Sequence, residues 1–341
     1  MVHKLTHGIF DDNIKLIIIR IGRDILSNSK RKVCMVNMKK CAVIGSINMD
    51  MVTSVDQFPK PGETRMGRSF ATVPGGKGAN QAIALGRLGT PTAMAGKIGD
   101  DLFGRQYLAH FEKTGVDASA VFVSNHSGTG TATIEVNGEG ENHIIVVAGA
   151  NGECNESWME QVLSKLSTYD IFLLQLEIPL ATVFECIRRL KAMGKTIILD
   201  PAPAAPIPDD VLGSVDVITP NETELRIITA SLPESAGTQE RIRHLLNLNV
   251  RMVVHKCGAG GAYIATKDGM EHIPGFKVKA VDTTAAGDTF NAGFATGLAQ
   301  GLSLQEAVRL GNAAAALSVT AFGAQDGMPS MERVQAFLAE Q

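Results

Sequence analysis

Apolar residues in the middle of this chain fall into short unbroken runs, each reached through a longer stretch with helical spacing. Cys41-Ala-Val-Ile-Gly45, Ile171-Phe-Leu-Leu-Gln175, Thr196-Ile-Ile-Leu199, Val215-Asp-Val-Ile218 and Arg251-Met-Val-Val254 read as short strands. Residues 156–166, 180–192, 221–229 and 238–248 read as the helices between them. Strands spaced by helices predict an α/β fold with a mostly parallel central sheet, flanked by helices on both faces. The first part is different. A helix over 78–88, a strand Thr92–Ile98 and a helix Gly104–Lys113 are surrounded by extended segments. Residues 51–74 read as extended, with a turn at Phe58-Pro-Lys-Pro-Gly62. Alternation over 121–147 predicts strands at Val121–Val123, Thr131–Val136 and His143–Val147, the last two joined by an Asn137-Gly138 hairpin turn.

Composition narrows this picture. A chain of 341 residues, 45% of them apolar, buries a large core as one α/β domain, alone or with an appendage. A net charge of −3 and 5% aromatics argue against nucleic acid or an anionic membrane as a partner. Five scattered cysteines without a CxxC pair point to reduced thiols, a cytoplasmic protein and no structural zinc. The first 39 residues stand apart. Residues 1–40 hold nine Lys/Arg against three Asp/Glu, a net +6 that leaves −9 for the rest of the −3 total. Ile14–Ile21 is too short and too charged to span a bilayer, and no signal-peptide pattern follows it. We therefore expect 1–39 to be an N-terminal extension outside the fold, with Met38 or Met35 as the natural start.

The densest chemistry lies at Val281-Asp-Thr-Thr-Ala-Ala-Gly-Asp-Thr-Phe290. Asp282 and Asp288 flank a turn of small residues that leads into an apolar helix from Thr289 to about Ala299. Thr284 is the expected N-cap, with Ala285, Ala286 and Gly287 in the first turn. The first N–H groups of a helix lack internal partners and the dipole there is positive, so a bare turn can hold a phosphate. An anion hole beside a carboxylate suits phosphoryl transfer to an alcohol. Alone, the segment is equally an ordinary capped helix start. A second bare helix N-terminus occurs upstream at Pro74-Gly-Gly-Lys-Gly-Ala-Asn80. Its spacing is not that of a P-loop. Lys77 and Asn80 would present an ammonium and an amide to a polyhydroxylated ligand.

Gly75–Asn80 and Asp282–Phe290 together resemble the two signatures of the PfkB carbohydrate kinase family. The likeness runs from about Lys40 to the C-terminus. Gly45-Ser-Ile-Asn-Met-Asp50, Val136–Asn142, Gln175-Leu-Glu177, Asp200-Pro-Ala-Pro203 and Thr219-Pro-Asn-Glu-Thr-Glu224 fit its D-ribose kinases in particular.

The resemblance implies a kinase domain over 40–341, with a small β-sheet lid from about 51–73 and 121–145. It implies ATP-dependent phosphorylation of D-ribose at O5, with Asp288 as general base and Ala285, Ala286 and Gly287 as anion hole. Asn48, Asp50, Gly76, Lys77, Asn80 and Glu177, with Asp288, match the sugar-binding set. Asn221 and Glu224 match the motif that places Mg²⁺ and phosphate; they also read as a helix cap and its first turn. Lys256, Cys257, Gly258, Ala259, Gly260 and Gly261 resemble the nucleotide loop, which with Gly287 and Asn312 would contact ATP. Where Lys256 stands, the family often has Thr or a small apolar residue. Asp282 and Thr284, with carbonyls near Ser318, Ala321, Gly323 and Gly327, match a K⁺ site, although Gly323-Ala-Gln-Asp-Gly-Met328 departs from the usual small-polar ending. A homodimer through the lid is implied. The alternatives are a related kinase for 2-deoxyribose, a nucleoside or another sugar, and a non-catalytic sugar-binding protein.

Overall fold

The computed structural model describes residues 38–341. The expected extension over 1–39 and the alternative start at Met35 therefore lie outside the described residues, apart from Met38 and Lys39. The strands are β1 (Cys41–Ile44), β2 (Asn48–Ser54), β3 (Ser69–Gly75), β4 (Thr92–Gly99), β5 (Asp117–Ser124), β6 (Gly130–Val136) and β7 (Asn142–Val147). They continue with β8 (Ile171–Leu174), β9 (Thr196–Leu199), β10 (Val217–Ile218), β11 (Met252–Lys256), β12 (Gly261–Thr266) and β13 (Gly269–Pro274). The helices are α1 (Lys77–Arg87), α2 (Leu102–Thr114), α3 (Glu156–Lys165), α4 (Leu180–Ala192) and α5 (Asp209–Leu212). After these come α6 (Glu222–Ile228), α7 (Thr238–Asn247), α8 (Ala286–Ala299), α9 (Leu304–Ser318) and α10 (Met331–Ala339).

Nine strands form the large sheet in the order β13-β12-β11-β10-β9-β8-β1-β4-β5. Its pairs are parallel except for the antiparallel β11–β12–β13 edge. The central strands are apolar throughout because both faces are covered. Along β1, Cys41 and Val43 enter one core with α1, α8 and α9, while Ala42 and Ile44 enter the other with α3, α4 and α7. The chain builds outward from β1 in both directions, so the order reverses beside it. In open α/β sheets such a reversal leaves a crevice at the carboxyl ends of the strands.

The second sheet has four strands in the order β3-β2-β6-β7. Residues 121–124, expected in this small sheet, instead end β5 at the edge of the large one, so the small sheet resumes at Gly130. The β6–β7 connection is longer than the two-residue turn expected at Asn137-Gly138. It spans 137–141, with Gly140 at φ 81° and the Asn137 side chain accepting from the N–H groups of Glu139 and Glu141.

Helices α8 and α9 pack backbone against backbone. A Cβ added at Gly297 would lie 2.6 Å from the Ala307 Cα, closer than a side chain tolerates. This contact fixes the C-terminal half of α8 against α9. Gly297→Ala should destabilise the protein by about 1–3 kcal/mol through overpacking. Urea unfolding would show a lower midpoint at unchanged slope; an unchanged midpoint would refute the close approach.

Candidate active site

The carboxyl ends of β1, β8 and β9 and the N-termini of α1, α6 and α8 meet at the reversal point. Each brings a polar group, because strand ends and helix starts are where backbone stops supplying its own partners. At α1, Gly76 holds φ 87°, and a Cβ there would lie 2.6 Å from the Asn48 N. The neighbouring Gly75 lies against the Asp50 carboxylate, 2.2 Å from Oδ2 to its would-be Cβ. The glycines thus let Asp50 and Asn48 reach the start of α1. Glu177 closes this side: its Oε2 accepts from the Ser46 hydroxyl at 2.5 Å and from the Lys77 N–H at 3.1 Å. Asn48 Oδ1 accepts from Asn151 Nδ2 at 2.8 Å.

Asp288 lies in the first turn of α8 and is 6% exposed. Its Oδ2 accepts from Asn80 Nδ2 at 2.9 Å and its Oδ1 from Gln81 Nε2 at 3.1 Å. Burial pushes its pKa up to about 6, aided by Asp200 and opposed by Lys77, Asn80 and Gln81. Asp50 is pushed up to about 7 by burial and by Glu177, with Lys77 opposing. For Lys77, burial disfavours the ammonium, but the surrounding carboxylates of Asp288, Glu177, Asp200 and Glu224 carry it up to about 12.

The α8 start differs from the expected one. Ala285, not Thr284, is the N-cap, in the left-handed region at φ 60°. Thr284 is turned aside because its N–H bonds Asp282 Oδ1 at 2.9 Å. The Ala286 N–H is taken by the Thr283 carbonyl at 3.2 Å. Among the described residues, the N–H groups of Gly287 and Asp288 have no backbone carbonyl partner. The Ala285 N–H is likewise without a backbone partner among the described residues, so of the three expected donors only that of Ala286 is engaged.

On the opposite side, Asn221 and Glu224 form a reciprocal capping box at α6. Lys256, ending β11, pairs with Asp200 at 2.9 Å and Glu224 at 3.7 Å. Its Nζ is 3.5 Å from where a Gly287 Cβ would be, so the ammonium overlooks the bare α8 turn. Cys257–Gly260 make the tight β11–β12 connection, and Gly261 begins β12 at φ 93°. Asn221, Glu222, Thr223, His255, Lys256, Cys257 and Gly258 line an open cavity of about 370 Å³. Asn312 on α9 donates to the carbonyls of Ile273 and Pro274, both at 3.2 Å, which puts it at the end of β13.

The residues matched to a cation lie on two segments, joined by bonds from Val281 and Asp282 N–H to the Val319 carbonyl. Asp282 Oδ2 accepts from the Gly323 N–H at 3.0 Å. The Ser318 carbonyl oxygen is 2.3 Å from the would-be Cβ of Gly327, so only glycine fits beside it. Among the described residues Ala321, between these two segments of contact, makes no hydrogen bond. Convergent carbonyls beside one carboxylate suit a large monovalent cation. Among the described residues no three His, Cys, Asp or Glu side chains cluster as a metal cage. The Glu224 oxygens are engaged by Asn221 and Lys256, which suits a hydrated Mg²⁺ held through water.

Asp200, Gln81, Ser46, Asn151, Gln175, Tyr107 and Gln325 are parts of the site whose roles the sequence motifs did not mark. The first two touch Asp288 or its neighbours directly: Gln81 Nε2 also donates to Asp200 Oδ2 at 3.0 Å. The position of Asp200 and Gln175 just after parallel strands was the available signal, since that end of a sheet carries ligands.

A model of the pfkB family of carbohydrate kinases matches residues 38–331. A ribokinase from Haemophilus influenzae is 40% identical over 303 residues, covering 88% of this chain and 98% of that protein. The crystal structure of a ribokinase from Thermotoga maritima, 40% identical, superposes with a TM-score of 0.83 over 88% of this chain and 99% of that one. A structure of Arabidopsis thaliana ribokinase complexed with ribose and ATP, 32% identical, gives 0.81 over 88% and 99%.

The Lys256 ammonium is stabilised by two carboxylates in a largely dry site, and removing it leaves them facing each other. Lys256→Met should cost about 3–5 kcal/mol near pH 8. The loss should shrink toward pH 5, because burial already raises Glu224 and an unpaired Glu224 takes up a proton sooner. Denaturation at both pH values checks this; equal losses would contradict it.

Proposed function

This chain belongs to the pfkB family of carbohydrate kinases, and on that footing we propose that it transfers the γ-phosphoryl group of ATP to O5 of D-ribose. The observation that carries the reading is the buried Asp288 beside the unpartnered N–H groups that open α8. Asp288 takes the proton from the sugar hydroxymethyl as O5 attacks. The O5–P bond forms, the bond from γ-phosphorus to the bridging oxygen breaks, and ADP leaves with the electron pair. The N–H groups of Gly287 and Asp288 and the positive end of α8 meet the charge that develops on the phosphoryl oxygens.

Asn48, Asp50, Gly76, Lys77, Asn80 and Glu177 hold the sugar hydroxyls. Paired amide and carboxylate groups reject analogues that lack a hydroxyl, since a buried partner is then left unmet. The small sheet grows from this cradle, with Asn48 opposite Gly75 in its β2–β3 register, which supports its reading as a lid over the sugar. Lys256–Gly261 and Asn312 line the nucleotide side. Asn221 and Glu224, with Asp200 nearby, would hold a hydrated Mg²⁺, which would supply positive charge beside the phosphates. Asp282, Thr284 and the carbonyls of Ser318, Ala321, Gly323 and Gly327 hold K⁺, which fixes the turn preceding α8.

The lid also supports a homodimer. Its edge strands expose Phe70 on β3 and Ile144, Ile145, Val146 and Val147 on β7. Exposed apolar edge strands call for a cover. A cytoplasmic setting agrees with the unpaired cysteines Cys41, Cys154, Cys186 and Cys257. No helix among the described residues is long and apolar enough to cross a membrane.

Asp288→Asn should lower kcat by about 10²-fold or more and leave D-ribose binding in place. Near-normal turnover would remove Asp288 as the base. The base must be ionised to act, so kcat/KM should rise with pH through the range set by the Asp288 value of about 6 and the Asp50 value of about 7. A flat profile between pH 5 and 8 would contradict it. At equal ionic strength, K⁺ should give faster turnover than Na⁺; identical rates would dismiss the cation site.

A further inference from the structure

Both oxygens of Asp288 are held by primary amides, and an amide can face either way round. Its oxygen end would repel the carboxylate; only its N–H end stabilises it. What fixes the orientation of Asn80 lies outside the sugar cradle. Asn80 Oδ1 accepts from Gln325 Nε2 at 2.9 Å. The same Nε2 donates to the Tyr107 hydroxyl at 3.2 Å. The Tyr107 hydroxyl in turn donates to the Gly75 carbonyl.

The direction of this chain follows from its far end. A backbone carbonyl only accepts, so Tyr107 must donate to Gly75, and its oxygen is left to accept. Gln325 must then present its NH₂ end to Tyr107, and the second N–H of that group goes to Asn80 Oδ1. Asn80 has no choice but to turn its own NH₂ toward Asp288, with one N–H to spare for the sugar. His110 agrees with this sense, since its Nε2 lies 2.8 Å from Gln325 Oε1 and can donate there. Tyr107 and Gln325 are 1% exposed, so water does not offer a substitute partner. Burial, with Asp50 nearby, also holds the Tyr107 phenol well above its usual value, so its proton stays. The other oxygen of Asp288 is served alike. Gln175 Nε2 donates to Gln81 Oε1 at 2.7 Å, which turns the Gln81 NH₂ toward Asp288 and Asp200.

We propose that Tyr107 and Gln325 are positioning residues: anchored on the Gly75 carbonyl, they fix which end of the Asn80 amide meets the base and the sugar. The proposal rests on Asp288 being the base of a sugar kinase. It ties the loop 323–328, which the sequence marks as unusual, to the reacting groups through three side chains.

Three substitutions separate orientation from packing. Gln325→Glu keeps the shape but replaces the donor with an acceptor, so Asn80 must turn over and present Oδ1 to Asp288. Gln325→Met keeps the volume without polarity and leaves Asn80 free to face either way. Tyr107→Phe removes only the anchoring hydroxyl. Per folded molecule, kcat should fall at least about tenfold in Gln325→Glu and by less in Gln325→Met and Tyr107→Phe. KM for ATP should stay within about twofold, while KM for the sugar rises. Carbon-13 NMR of labelled aspartate gives a readout that needs no turnover. Lys77, Lys256 and Asp200 still face Asp288 in each variant; Gln325→Glu adds a carboxylate of its own, so the amide's turn is read from the uncharged Gln325→Met and Tyr107→Phe variants, in which the Asp288 titration should also move upward. The Asp288 carboxyl should titrate at least about one pH unit higher in Gln325→Glu than in the unmodified protein. Unchanged titration with kcat within about twofold, or equal losses in the Glu and Met variants that follow only their melting temperatures, would overturn the proposal. If Gln325→Glu does not fold, the same two readouts on Tyr107→Phe decide. If the unmodified protein turns over no sugar, the kinase reading fails, and the NMR titration still decides the orientation.

Discussion

A carboxylate placed in a nearly dry site must be stabilised there or it takes a proton. Asp288 meets this constraint at the start of α8, with one amide on each oxygen, the Lys77 ammonium nearby and unpartnered N–H groups beside it. These groups come from α1, α8 and the strand ends between them, and each depends on close packing further away. Gly76 and Gly75 bring α1 up to β2, and Gly297 lets α8 lie against α9. The opposing effects leave Asp288 near 6, ionised at neutral pH yet basic enough to accept a proton from an alcohol.

The charges around it are arranged rather than cancelled. Asp50, Glu177, Asp200, Glu224 and Asp288 outnumber Lys77 and Lys256. A polyanionic nucleotide needs positive charge at its own side, and Lys256 is the cation of the side we propose for it. The sugar side instead offers carboxylates and amides, which suit hydroxyl groups. The two halves of the crevice therefore differ in the chemistry they accept, and Asp288 lies at their junction.

Much of this was legible in the chain. The parallel strands appeared as unbroken apolar runs because both their faces are buried. The two glycine-bearing signatures marked both helix starts. The capping box at Asn221 and Glu224 was readable from spacing alone. Other features depended on tertiary contacts. The left-handed Ala285 is held by its surroundings, not by any preference of alanine for that region. Helix α9 went unmarked although Ser303 and Glu306 form a capping box at its start, because the run Ala313–Ala316 gives little contrast between its faces. Residues 121–124 alternate as a lid strand would, but they pair with β4. Gln325 sits in an irregular loop, and only the fold brings it beside Asn80.

Phosphoryl transfer from ATP to O5 of D-ribose is the reaction on which all of these proposed roles rest. It is tested most directly by incubating the protein with MgATP, K⁺ and a panel of pentoses, 2-deoxyribose, hexoses and nucleosides, then following ADP release and identifying each product by phosphorus-31 NMR. Turnover should be fastest with D-ribose and leave a phosphate on its C5 oxygen. Preference for another member, a phosphate at another position, or no ADP release with any of them would contradict it.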